Sequence, residues 1–387
     1  MTETPVSERI RITFLGRTNV GKSSLISLIT NQNLSIVSPT PGTTTDPVRK
    51  TMELLPLGPV VIVDTAGLDD ESELGKLRIN KTDEELNKTD IAVIVCAIDQ
   101  KDFSFEEKII STLKEKKIPY VVVVNKDDNN LKSLSFEISE EILWTSTLKK
   151  TGIEELKNKI ASLKPNKNNV TFLEGLVSQN DIIMLVCPID GSAPKGRLIM
   201  PQVMALRDIL DKNGVAVTVQ PSELEEALKK ITPKLVITDS QAFKIVNSIV
   251  PKNIPLTSFS ILMARYKGDL KGLLEGANVV DSLQDGDKIL IAEACTHHAQ
   301  KNDIGKVQIP KKLLEYTGKN LIFEHISGGS FPENLSEYKL IIHCGGCMIS
   351  RTMMLYRQNL AWKKRVPITN YGVILAKLTG ILNRVVV

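Results

Sequence analysis

The sequence predicts an α/β protein of three domains, the first built on a mostly parallel, doubly wound sheet. Three observations predict it. Short runs rich in Val and Ile alternate with helix-like stretches along most of the 387 residues, the pattern of strands covered on both faces by crossover helices. A Gly16-x-x-x-x-Gly21-Lys22-Ser23 motif stands between one such strand and the helix that follows it. Near the other end, Cys295-x-His297 and, after a long spacer, His343-Cys344-x-x-Cys347 follow further strand-like runs.

In the first domain, 1–165, the strands are RITFLG, VVIVDT, IAVIVCA and YVVVVNK, and the helices are GKSSLISLIT, ELGKLRINKTDEELNK and FEEKIISTLKEKK. The polar stretch 164–169 reads as a linker. A second series over 170–265 runs DIIMLVCPID, MPQVMALRDILDKN, GVAVTVQ, SELEEALKKI, PKLVITD and QAFKIVNSIV, a small α/β domain. The third domain, 266–387, carries DKILIAEAC, KNLIFEH and EYKLIIHC as strands. All three run into loops with His or Cys, at the carboxyl ends where open α/β sheets place their sites. A helix is expected from Met348, directly after the last cysteine.

Composition bounds the function. With 42% apolar and 24% charged residues the chain is an ordinary globular protein. A net charge of +4 and 4% aromatic residues argue against nucleic acid as a partner. The first residues lack the apolar core of a signal peptide, and no apolar run reaches the roughly 18–20 residues a membrane span needs. A cytoplasmic protein with no membrane partner is therefore expected. Five cysteines in such a chain argue against a disulfide framework. Cys96 and Cys187, inside IAVIVCAID and IIMLVCPID, read as buried structural thiols.

The nucleotide site follows from order and residue type. Gly16 and Gly21 let the loop curl so that its amides face phosphate oxygens. Lys22 should reach the β- and γ-phosphates and the Ser23 hydroxyl should ligate magnesium, with Ser24 beside it in the nucleotide-contacting set. Asp64, in Asp64-Thr65-Ala66-Gly67, can hold magnesium through water, and the Gly67 amide can sense the γ-phosphate. In Asn125-Lys126-Asp127-Asp128, the Asp128 carboxylate can accept two hydrogen bonds from guanine N1 and its exocyclic amine, which adenine cannot offer. Ser146, in TSTLKKTGI, resembles the loop that closes over the base. Thr44, in PGTTTDP, resembles the mobile threonine that completes the magnesium shell. Lys22, Ser23, Thr44, Asp64 and Gly67 form the expected catalytic set. These features, in this order, resemble a GTPase, which implies GTP and magnesium.

Within GTPases, GRTNVGKS and PGTTTD look like the branch of the tRNA-modification enzyme MnmE. That resemblance implies that Asn19 helps bind a potassium ion, and that G domains pair through their switch loops. Leu68 stands where Ras-like proteins carry a water-orienting glutamine, so slow basal hydrolysis is expected. The alternative reading is that Asn19 is only a turn residue.

Cys295, Cys344 and Cys347 supply three thiolates, enough for three irons of a 4Fe–4S cluster. The fourth iron would then take an exchangeable ligand: His297, His343, a carboxylate or a small exogenous molecule. Gly345 and Gly346 allow close approach of backbone amides, and Gly328 and Gly329 offer another such loop. His298 and His325 read as packing or surface residues. The residues alone leave open a closed Cys₃His zinc site and a thiol-redox pair of Cys344 and Cys347.

A GTPase, a small α/β domain and then Cys-x-His…His-Cys-x-x-Cys is similar, over essentially the whole chain, to the HydF family of FeFe-hydrogenase maturation GTPases. The resemblance implies a homodimer formed by the middle domain and a 4Fe–4S cluster held by Cys295, Cys344 and Cys347, with His297 and His343 nearby. It further implies a scaffold that receives a diiron precursor bearing CO and cyanide, built with the maturases HydE and HydG. The scaffold then delivers it to apo FeFe-hydrogenase. GTP hydrolysis would bias partner association. The other class the residues allow is an RNA- or ribosome-associated GTPase with a structural zinc module. The basic run Arg357 to Arg365 reads as a solvated helix face or a dock for an acidic partner.

Overall fold

In a computed structural model the chain divides into two units, residues 1–168 and 169–387. The structure describes residues 4–30, 48–65, 85–130, 132–134, 139–164, 171–189, 198–294, 303–328, 331–332 and 334–386.

The first unit is built on β1 (Ile10–Leu15), β2 (Val48–Leu54), β3 (Gly58–Asp64), β4 (Ile91–Ala97), β5 (Tyr120–Asn125) and β6 (Ile142–Trp144). They form one sheet in the order β2-β3-β1-β4-β5-β6. Every pairing is parallel except β2 with β3. All seven residues of β4 are buried, as a strand covered on both faces requires. Helices α1 (Lys22–Thr30), α2 (Ser104–Glu115) and α3 (Ile153–Ser162) flank the sheet. The four strands expected from sequence are β1, β3, β4 and β5; β2 and β6 were not expected. In β2, side chains of one set are exposed and the alternate set half-buried, as on an edge strand. The helix expected over 73–88 lies largely outside the described residues.

The second unit carries two four-stranded parallel sheets. One is β10-β9-β7-β8, from β7 (Ile182–Val186), β8 (Val215–Val219), β9 (Leu235–Thr238) and β10 (Leu256–Ser258). The other is β12-β11-β13-β14, from β11 (Lys288–Glu293), β12 (Ile322–Ser327), β13 (Leu340–His343) and β14 (Ile368–Asn370). Helices α4 (Met200–Asp211), α5 (Leu224–Lys230), α6 (Phe243–Ile249), α7 (Phe259–Lys267), α8 (Leu270–Asn278), α9 (Ile309–Thr317), α10 (Arg351–Lys363) and α11 (Tyr371–Leu378) accompany them.

One hydrophobic core joins the two sheets: Met184, Val236 and Phe243 share it with Ile289, Leu340 and Val373. Each such fully buried aliphatic or aromatic side chain contributes about 1.5–3 kcal/mol. The join is tight, since a Cβ on Gly372 would stand 2.6 Å from Ser260 Cβ. The Asn370 amide closes it by donating to Ser260 O at 3.0 Å.

One boundary differs from expectation. The helix after the last cysteine begins at Arg351, not Met348. Ser350 accepts from the Met353 amide as its N-cap, so residues 348–350 form a turn.

Candidate functional site

At the carboxyl end of β1 the phosphate-binding loop has the shape its glycines permit. Gly16 and Gly21 have φ of +145° and +94°. A Cβ on Gly16 would lie 2.2 Å from Val95 O, and one on Gly21 would lie 2.2 Å from Asn125 Nδ2. Asn125 Nδ2 donates to Val20 O at 3.0 Å, and its Oδ1 accepts from the Thr147 amide at 3.3 Å. Asn125 is thus a strut between the phosphate loop and the loop expected over the base. On that loop Ser146 Oγ donates to Asp128 Oδ1, and the Lys149 amide donates to Ser146 Oγ at 2.9 Å. Lys126 stands at φ +67° with its ammonium 3.5 Å from Asp99.

Lys22 is buried, and its ammonium donates to Gly16 O at 3.0 Å and Arg17 O at 2.8 Å. Ser23 Oγ donates to Asp64 Oδ2 at 2.5 Å. The other oxygen, Asp64 Oδ1, is buried and has no hydrogen-bond partner among the described residues. Burial pushes this carboxyl up, against the pull of Ser23 and Lys22. A half-satisfied carboxylate beside a serine hydroxyl fits magnesium and its water shell. Asn19 adopts φ +62°, a left-handed turn that asparagine tolerates, and Ser24 is exposed beside Ser23. Thr44, Gly67 and Leu68 lie outside the described residues.

Arg17, inside the loop, was not expected to matter. Its Nε pairs with Glu106 Oε1 at 3.2 Å and its Nη2 with Asp102 Oδ1 at 2.9 Å. Glu106 is fully buried at the start of α2, so the loop is tethered to that helix by its own side chain.

The second constellation gathers at the carboxyl ends of β11 and β13, which pair in parallel with Ala292 opposite His343. Ala294, the residue before Cys295, donates its amide to Cys344 Sγ at 3.2 Å. Cys344 in turn donates its amide to Ala292 O at 2.9 Å. Gly346 has φ +65°, and a Cβ there would stand 2.4 Å from Met354 Cε, so the turn between the cysteines favours glycine. Cys344 and Cys347 are half-buried, and burial pushes the Cys347 thiol up. Cys295, His297, His298 and Gly329 lie outside the described residues. Among the described residues no three His, Cys, Asp or Glu side chains cluster as a metal site.

His343 is fully buried. Arg357 Nη1 lies 2.8 Å from His343 Nε2, and His343 Nδ1 lies 2.7 Å from Cys344 O. A guanidinium only donates, so Nε2 accepts and Nδ1 carries the proton to the carbonyl. Burial, reinforced by Arg357, drives the imidazole down to about 3. Both ring nitrogens are committed to protein groups, and in this arrangement His343 offers none to a metal. It orients the cysteine loop instead. Arg357 also donates to Gly328 O at 2.6 Å and lies over the Phe331 ring. The expectation of a surface run from Arg357 to Arg365 is corrected: Arg357 is fully buried, and Lys363, Lys364 and Arg365 are exposed. A signal was available, because Arg357 falls on one helical stripe with Met353, Met354 and Ala361. His325 Nε2 lies 3.3 Å from Gly305 O. Cys96 is buried within β4 and Cys187 directly after β7, where desolvation pushes Cys187 up to about 12.

Known proteins divide the chain in the same order. A profile described as hydrogen maturase F dimerization domain matches residues 172–268, and one described as hydrogen maturase F tetramerization domain matches 271–387. A profile described as 50S ribosome-binding GTPase matches 11–126. The tRNA modification GTPase MnmE of Clostridioides difficile is 33% identical over 162 residues, 40% of this chain and 35% of that protein. MnmE of Aquifex aeolicus is 31% identical over 157 residues, 40% of this chain and 34% of that protein. The chain thus spans about a third of the length of these curated relatives. Among solved structures, the G domain of the T. maritima FeoB iron transporter is 21% identical, with a TM-score of 0.29 over 40% of this chain and 99% of that one.

Proposed function

The chain belongs to the hydrogen maturase F family, and from that membership we propose that it is a GTP-hydrolysing iron–sulfur scaffold. In this reading it receives a diiron precursor and delivers it to an apo FeFe-hydrogenase. The observation that carries the reading is the contact of Ala294, the residue before Cys295 in sequence, with Cys344 Sγ. Cys295, Cys344 and Cys347 would hold the three irons of a 4Fe–4S cluster that cysteine ligates. Such a cluster supplies one iron position open to ligand exchange, which suits a carrier that must also release. The buried cation Arg357 beside the cysteine loop favours an anionic group there.

At the nucleotide site, Lys22 would leave the carbonyls of Gly16 and Arg17 for the β- and γ-phosphates. Ser23 and Asp64 would hold magnesium, and Asp128 would select guanine. Asn19 would hold the potassium ion that stimulates hydrolysis. The nucleotide state biases association with the maturases HydE and HydG and with the hydrogenase. The family domains are named for dimerization and tetramerization, which supports self-association. No helix of the described residues is long and apolar enough to cross a membrane, and the reading places the protein in the cytoplasm.

Anaerobic purification with iron, sulfide and zinc analysis tests this. The reading expects iron and sulfide in the wild-type chain, their loss in Cys344→Ser, and GTP binding in both. Stoichiometric zinc without iron or sulfide rejects it in favour of a GTPase with a structural zinc module. The GTPase profile, whose description names the 50S ribosome, supports that second reading, and co-sedimentation with ribosomes would accompany it. Hydrolysis rates compared in potassium and sodium test Asn19, and equal rates dismiss the potassium site.

A further inference from the structure

Lys267 is the last residue of α7, outside the segment that carries the three cysteines, yet only 1% of it is exposed. Its ammonium donates to Gly346 O at 3.3 Å, Cys347 O at 3.2 Å and Ile349 O at 2.6 Å. The neighbouring residues brace the same join. Arg351 Nη1 donates to Tyr266 O. Gln358 accepts from the Asp269 amide at 2.9 Å and donates to Asp269 O at 3.3 Å.

The consequence follows from peptide geometry. In a trans peptide the C=O and the following N–H point in opposite directions. Drawing the carbonyls of Gly346 and Cys347 onto one ammonium therefore turns the amides of Cys347 and Met348 the other way. Hydrogen bonds to sulfur and nearby charge set the potential and retention of iron–sulfur sites.

We propose that Lys267 is a positioning residue of the cysteine loop: by gathering the carbonyls of Gly346, Cys347 and Ile349 it fixes the direction of the Cys347 and Met348 amides and so preorganises the loop for an anionic metal cluster. This deepens the scaffold reading and rests on it for the identity of the ligand. The loop is then not a property of its own segment; its shape is imposed from the neighbouring sheet.

The test uses the full chain as wild type, Lys267→Gln, Lys267→Met and Lys267→Arg, with circular dichroism as the folding control. In metal-free protein, hydrogen exchange over 344–352 should accelerate about tenfold in Lys267→Gln, the effect of losing about 1.4 kcal/mol of local order. Unchanged exchange overturns the proposal, and so does acceleration spread over the whole unit, which would mark Lys267 as a general core residue. After anaerobic reconstitution with iron and sulfide, Lys267→Gln and Lys267→Met should release iron to a chelator about tenfold faster. Their midpoint potential should fall by about 59 mV, a tenfold change in the ratio of reduced to oxidised cluster. Lys267→Arg keeps the charge and should restore most of the potential. Wild-type release rate and potential in Lys267→Gln overturn the proposal. A wild-type chain that takes up no iron overturns the scaffold reading instead, while the exchange measurement still decides the role of Lys267.

Discussion

Arg357 Nη1 stands 2.8 Å from His343 Nε2, and both side chains are fully shut off from solvent. The contact fixes the imidazole as a neutral acceptor and leaves its other nitrogen donating to Cys344 O. Arg357→Met keeps most of the bulk but orphans a buried acceptor, His343 Nε2, and a half-buried one, Gly328 O. The buried orphan costs about 1–3 kcal/mol and the half-buried one about 1 kcal/mol, so the second unit should lose about 2–4 kcal/mol. Urea unfolding of metal-free protein in a Trp144→Phe background measures this, because Trp362 alone then reports. A loss below half a kcal/mol would mean the pair does not hold the loop.

Gly21 faces Asn125 so closely that a methyl group cannot enter, since its Cβ would stand 2.2 Å from Asn125 Nδ2. Gly21→Ala must also adopt φ near +94°, which costs a side-chain-bearing residue a further penalty. Nucleotide affinity should fall by about 10- to 100-fold, or 1.4–2.8 kcal/mol. Titration with a fluorescent GDP analogue checks it, with the fold of the first unit followed by circular dichroism. Wild-type affinity would show that the strut between the phosphate and base loops carries no binding energy.

Asp128 presents two acceptor oxygens on a loop braced by Ser146. Guanine offers two donors on its N1 and exocyclic amine, so the match is acceptor for donor throughout. In Asp128→Asn one acceptor becomes a donor, which suits the carbonyl of xanthine and meets the guanine amine donor to donor. Affinity for GTP should fall by about 100-fold while that for XTP rises, as expected where a site leaves polar groups unpaired. Competition between the two nucleotides reads the switch directly. Unchanged preference would remove Asp128 from the base site.

The parts that were legible in the sequence are those whose partners are local or whose burial is complete. Strands β1, β3, β4 and β5 are apolar runs covered on both faces, and the phosphate loop is one contiguous motif between strand and helix. Strand β2 escaped because Arg49 and Lys50 interrupt its apolar signal and because its edge position exposes alternate side chains. Strands β10 and β14 are three residues each, too short for any period. The cations are different in kind. Arg17 pairs with Glu106, and Lys267 with the carbonyls of Gly346 to Ile349, across long stretches of chain that no local pattern links. The early helix start at Met348 missed the cap, though Ser350 stood three residues before the amide it accepts.

Glu85 gives the first unit a defined acid sensitivity. Its carboxylate is 4% exposed and holds Arg49 at 2.7 Å, Arg11 at 2.8 Å and Lys88 at 3.4 Å. Burial alone would raise this carboxyl, but the three cations outweigh it and hold the group below the usual range of about 4.5. The folded state therefore binds fewer protons here than the unfolded chain. The stabilisation is fully present above the unfolded value and is lost as pH falls through the lower folded one. Glu85→Gln should cost about 3 kcal/mol near neutrality, because it leaves the partly buried Arg11 without its carboxylate. It should also flatten the loss of stability below pH 4.5, since the titrating group is gone. Urea unfolding from pH 7 down to pH 3.5, in a Trp362→Phe background so that Trp144 reports, tests both effects. A variant whose stability falls below pH 4.5 as steeply as the wild type would place the acid sensitivity on another carboxylate.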